Sequence, residues 1–127
     1  MTALADVETS VDGRTVVLPG GIARTDGHVC RRVRVRRLTG ADEEVLFERG
    51  RSGAARVSAF LARAIEAIDD FDTSVDEPLV SRMHLGDRDY VLLRLRQLEL
   101  GDAVHQVARC PSCAQRVDVD FAISELP

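Results

Sequence analysis

RVSAFLARAIEAI, residues 56–68, places Val57, Phe60, Leu61, Ala64, Ile65 and Ile68 at i, i+3, i+4, i+7, i+8 and i+11. A 3.6-residue period gathers these side chains on one side of the chain, so the stretch predicts an amphipathic α-helix with one apolar stripe. Asp69-Asp70 ends the stripe. A Gly-, Ser- and Ala-rich loop after Gly50 leads into it.

Working towards the N-terminus, Thr39-Gly40-Ala41-Asp42 reads as a capping box, in which Asp42 reaches back to the residue that opens the helix. A short helix through Phe47 follows and Gly50 stops it. Before it, residues 28–38 alternate. Val29, Arg31, Val33, Val35 and Arg37 fall on one side, and Cys30, Arg32, Arg34, Arg36 and Leu38 on the other. That predicts a half-buried strand with an Arg-rich outer face. Arg14 to Leu18 is a short β-branched strand closed by a Pro19-Gly20-Gly21 turn, and Thr25-Asp26-Gly27 supplies the next turn. Residues 1–13 are small and polar and read as a flexible arm. Without an apolar block they do not read as a signal peptide.

Towards the C-terminus, residues 75–83 read as one or two helical turns, with Pro78 tolerated in the first. Asp87 is placed to cap a helix from Arg88 to about Leu98, ended by Gly101. Its apolar residues Tyr90, Val91, Leu92, Leu93, Leu95 and Leu98 exceed one stripe, so the helix is either central or presents a second face to a partner. Residues 103–109 and 116–122 are β-like runs joined through Cys110-Pro111-Ser112-Cys113; Val117, Val119 and Phe121 alternate with Asp118 and Asp120. The expected fold is α+β, a single domain over residues 14–127. It has short N-terminal strands, a helical middle of about three helices, and a C-terminal β-hairpin with a Cys-Pro-x-Cys knuckle, free to pair with the N-terminal strands.

Composition narrows the function classes. A net charge of −4 argues against a nucleic-acid domain. No apolar run reaches the roughly 18 residues of a membrane span. Three cysteines do not suit a disulfide-stapled secreted domain, so reduced thiols and a cytoplasmic location are expected. With no Trp, one Tyr and four Phe, the core must be built mainly from Val, Leu, Ile and Ala.

Cys110 and Cys113 are the one recognisable chemical motif, and three readings compete. They are half of a zinc site, completed by His28 and Cys30 from another strand or by His105. They are a redox pair, against which stands the strand that follows, since a helix N-terminus is what stabilises a redox thiolate. Or they are a tight turn whose cysteines are small hydrophobes. The Arg31, Arg32, Arg34, Arg36 and Arg37 cluster lacks interleaved aromatics for base stacking and is followed at once by Asp42, Glu43 and Glu44. It reads as a solvated strand face. The histidines and the acidic pairs Asp69-Asp70 and Asp118/Asp120 have no catalytic spacing, and no nucleophile sits beside a base. The chain is therefore expected not to be an enzyme.

The order of the pieces carries a resemblance. Leu18-Pro-Gly-Gly21, a charged strand ending in Leu38-Thr-Gly40 and Asp42-Glu43-Glu44 form one half. Leu85-Gly-Asp-Arg-Asp-Tyr90, Leu92-Leu-Arg-Leu-Arg-Gln97, Gly101-Asp102, the Cys pair, residues 117–121 and a closing Leu126-Pro127 form the other. Over about residues 16–127 the chain resembles the baseplate hub assembly chaperone family of contractile-tailed phages, including relatives encoded beside phage-like contractile injection systems. Residues 86–90 and 92–97 carry the most specific likeness. The resemblance implies a small non-enzymatic protein that binds a hub or wedge protein while a tail baseplate is assembled; it carries over no catalytic residue.

The residues themselves place the expected protein interface at Tyr90, Leu93, Arg94, Arg96 and Gln97, where apolar and Arg side chains are densest. The expected cofactor is none, or one structural zinc ion held by Cys110, Cys113, Cys30 and His28. The competing reading is a zinc-ribbon-like accessory module that binds nucleic acid or a transcription partner.

Overall fold

Val16, Val33 and Ile68 stand opposite one another across three antiparallel strands, β1 (Thr15–Ala23), β2 (Val29–Val35) and β3 (Ile65–Ile68), in the order β1-β2-β3. All three side chains are buried, whereas the neighbouring Arg34 and Ala67 face outward. The sheet therefore has one apolar and one Arg-rich face, as the alternation of β-branched and charged residues requires. The computed structural model describes residues 13–69, 71 and 74–127. Apart from Gly13, the expected arm (residues 1–13) lies outside them, as does Asp70 of the acidic pair.

The architecture is α+β, with helices α1 (Gly40–Glu44), α2 (Gly53–Ala64), α3 (Glu77–Ser81) and α4 (Leu85–Leu100). The C-terminal hairpin is β4 (Ala103–Arg109) and β5 (Arg116–Ala122). Phe60, Leu61 and Ala64 of α2 and Val91 and Leu95 of α4 join the buried face of the sheet in one core. The caps follow local chemistry. The Ser52 hydroxyl accepts the Ala55 amide at 3.2 Å, and Asp76 accepts the Leu79 amide at 2.9 Å. Asp42 reaches back to the Thr39 amide at 2.8 Å. It is also a fully buried hub for Arg36 and for Arg63 Nε at 2.8 Å. Those cations, Arg36 foremost, hold its carboxyl far below the usual range.

Five expectations are corrected. First, Pro19-Gly20-Gly21 does not close a strand. It is a bulge inside β1, because Val17 faces Arg32 while Ile22 faces Cys30. Second, beside that bulge Cys30 is buried opposite Ile22 and Val29 is exposed, which reverses their assigned faces. Third, the apolar stripe of residues 57–68 is helical only to Ala64; Ile65 to Ile68 is the third strand. Fourth, α4 begins at Leu85 with His84 as its cap, so Asp87 does not cap it. Fifth, the hairpin does not pair with the N-terminal strands and forms a sheet of its own. No helix among the described residues is long and apolar enough to cross a membrane.

Candidate functional site

Helix α4 organises the surface around it. Asp87, Val91 and Leu95, spaced by four residues, are its buried face. The Asp87 carboxylate accepts the amides of Gly20 and Gly21, each at 2.8 Å, and so anchors the start of α4 to the β1 bulge. The approach is tight at Gly20 and demands glycine at Gly21. A Cβ on Gly20 would lie 3.0 Å from His84, and one on Gly21 (φ +91°) would lie 2.6 Å from Val29. Arg88 reaches across to α2, donating to Ser58 Oγ at 2.8 Å and the Ala54 carbonyl at 3.3 Å. The LPGG and GDRDY segments therefore meet in space and fix how α4 lies on the sheet and on α2.

On the flank of α4, Tyr90, Leu93, Arg94 and Gln97 line a groove of about 300 Å³. Its other wall is the C-terminal segment, through Ile123, Ser124, Leu126 and Pro127. The floor is apolar and one end is polar and tied down. Arg94 donates to Gln97 Oε1, Gln97 Nε2 donates to Asp102 Oδ1 at 2.8 Å, and the Ser124 amide donates to the same oxygen at 2.8 Å. The Ser124 hydroxyl donates to the second Asp102 oxygen. These Ser124 bonds hold the Asp102 carboxyl below its ordinary range, since they favour its charged form. The chain pins its own end beside α4, leaving Leu93 36% exposed on the rim.

Four of the five expected interface residues thus share one groove. Arg96 does not: at about 100° per residue it points to the other flank. There it lines a separate groove of about 340 Å³ with Leu46, Phe47 and Leu100. Phe47 is 79% exposed, a large apolar side chain that the sequence reading treated only as the end of a short helix. The C-terminal wall was also missed. Its only sequence signal was the closing Leu126-Pro127.

The four residues expected to hold zinc are not brought together. Cys30 is buried in the core opposite Ile22 on β2, next to the turn that carries His28, while Cys110 and Cys113 sit at the hairpin tip. His105 pairs with Asp120 across the hairpin. Among the described residues no three His, Cys, Asp or Glu side chains converge as a metal site would need. Among the described residues the two fully buried carboxylates, Asp42 and Asp87, are both engaged within the fold.

Comparison of the chain with protein-family models, with curated proteins and with solved structures finds no match.

Proposed function

We propose that this protein is a non-enzymatic assembly chaperone or accessory factor for the baseplate hub of a phage-like contractile tail or contractile injection system, acting in the cytoplasm by binding a hub or wedge protein. The observation that carries the protein-binding part is the groove between α4 and the chain's own C-terminus. It joins an aromatic, a leucine and an arginine in one concave strip whose polar end is already ordered by Gln97, Asp102 and Ser124. Tyr and Arg beside a buried apolar floor are the residue types that anchor interfaces. A pre-ordered strip also avoids part of the cost of fixing side chains on binding. The choice of a baseplate partner rests on the order of the LPGG, GDRDY and LLRLRQ segments.

The test is co-expression with the baseplate proteins encoded nearby. A hub or wedge component is expected to co-purify with the wild-type chain, and Tyr90→Ala combined with Arg94→Ala is expected to release it. Retention of no baseplate component removes the basis for this function.

A further inference from the structure

The hairpin stands clear of the core. Of β4 only Val104 is buried, no residue of β5 is, and Val117 near the tip is 47% exposed. At that tip Cys110 and Cys113 are held in a tight knuckle. The Cys110 amide donates to the Gln115 carbonyl at 2.8 Å and the Ala114 amide to the Cys110 carbonyl at 2.9 Å. Ala114 adopts φ +60°, a left-handed conformation that a non-glycine residue takes only when its surroundings impose it. This fold-back aims the backbone amides of Cys113 and Ser112 at the Cys110 sulfur. Neither cysteine is in a disulfide, and Cys113 is exposed. The tip is also cationic: Arg109 and Arg116 face each other at the last rung of the ladder, and no acidic residue occurs between residues 103 and 117.

Two neighbouring thiols at a surface tip, with amide donors and flanking guanidiniums, form a metal half-site, since structural zinc takes four ligands in a tetrahedron. The chain cannot supply the other soft ligands. Every Cys and His lies within the described residues, and no third one joins the pair. We propose that Cys110 and Cys113 complete a zinc site with the same two residues of a second copy of this chain, four thiolates from two hairpin tips closing one tetrathiolate centre. A two-fold axis through the metal brings identical tips together, and such a contact needs no surface other than the tip itself. The arginines of both copies offset the negative charge that four thiolates leave on the zinc. A contact of that size is far smaller than a stable dimer interface, so the metal must hold it. This inference goes beyond the baseplate reading and does not depend on it.

The experiment uses the untagged, reduced full-length protein, with zinc alone as the ligand. Light scattering should show a monomer in chelator and a dimer after zinc is restored, with one zinc per two chains by elemental analysis. Cobalt in place of zinc should give the absorption of a tetrahedral tetrathiolate. Cys110→Ser/Cys113→Ser should abolish dimer, zinc uptake and cobalt signal while leaving the far-UV circular dichroism unchanged. One zinc per monomer, a dimer that survives chelation, or zinc uptake no greater than that of the double variant would each overturn the proposal.

Discussion

Asp87 and Gly21 are 66 residues apart in the chain, yet the Asp87 carboxylate accepts the Gly21 amide at 2.8 Å and the Gly20 amide at the same distance. Buried backbone amides need partners, and a bulge removes the neighbouring strand that would supply them. Asp87 replaces that strand. Asp87→Ala is therefore expected to lower unfolding stability by about 2–4 kcal/mol, because two amides lose their acceptor. Asp87→Asn, which keeps one acceptor oxygen, should cost less. Gly21→Ala should destabilise through both its positive φ and the crowding by Val29. Urea unfolding of the three variants checks this, and a cost for Asp87→Ala below about 1 kcal/mol would contradict the clamp.

Asp42 makes stability depend on pH. Its carboxyl is held well below the usual carboxylate range by Arg36 first, with Arg63 and Thr39 adding to it. A depressed folded-state pKa stabilises the fold above the unfolded value of about 3.9. That contribution should be lost as pH falls below this value towards the lower folded pKa. Asp42→Asn is expected to cost about 2–3 kcal/mol near neutral pH, since buried charged hydrogen bonds are lost. The gap between wild type and variant should be flat from about pH 5 to 8 and shrink below about pH 4. Chemical denaturation across that range measures the gap.

The two sides of α4 should separate stability from binding. Leu95 is buried in the core, and Leu95→Ala is expected to cost about 2–5 kcal/mol. Leu93 lies on the groove rim, and Leu93→Glu should change stability by no more than about 0.5 kcal/mol. The same Leu93→Glu change should nonetheless weaken capture of the partner proposed for this groove. Thermal unfolding and co-purification on both variants give the comparison. Normal capture by Leu93→Glu would place docking elsewhere.

The hairpin should be the least protected β structure. A two-stranded ribbon gains little from its own contacts in water, and apart from Val104 β4 and β5 bury no side chain. Native-state hydrogen exchange should show amides of β4 and β5 near the tip opening well before those of β1 and β2, which share the core.

Local patterns were legible in the sequence and long-range ones were not. The hairpin strands could be read because Val117, Val119 and Phe121 alternate with Asp118 and Asp120 along an exposed ribbon, where the side-chain period is undisturbed. Thr39 and Asp42 could be paired because they lie one helical turn apart. Asp87 could not be assigned its role, since its partners are distant in sequence and an aspartate just before a helical pattern reads as a cap. Ile65 and Ile68 were misread because both are buried on β3, so their spacing mimics a helical repeat. The groove was half legible. The period of α4 gathers Tyr90, Leu93, Arg94 and Gln97, but nothing local told that the C-terminus would return to form the second wall.

The junction of α2 and β3 has a practical consequence for anyone altering this chain. The helix ends at Ala64 and the strand begins at Ile65 with no intervening residue, and the Ala64 carbonyl already accepts the Arg36 amide at 3.0 Å. One added residue there would push Ile65 and Ile68 out of register with Val35 and Val33, the β2 residues they face. The turn at Gly27 and the bend at Gly50, where an added Cβ would meet nothing within 4 Å, have slack. Labels, epitopes and fused domains belong in those two turns, and the seam between residues 64 and 65 must be left uncut.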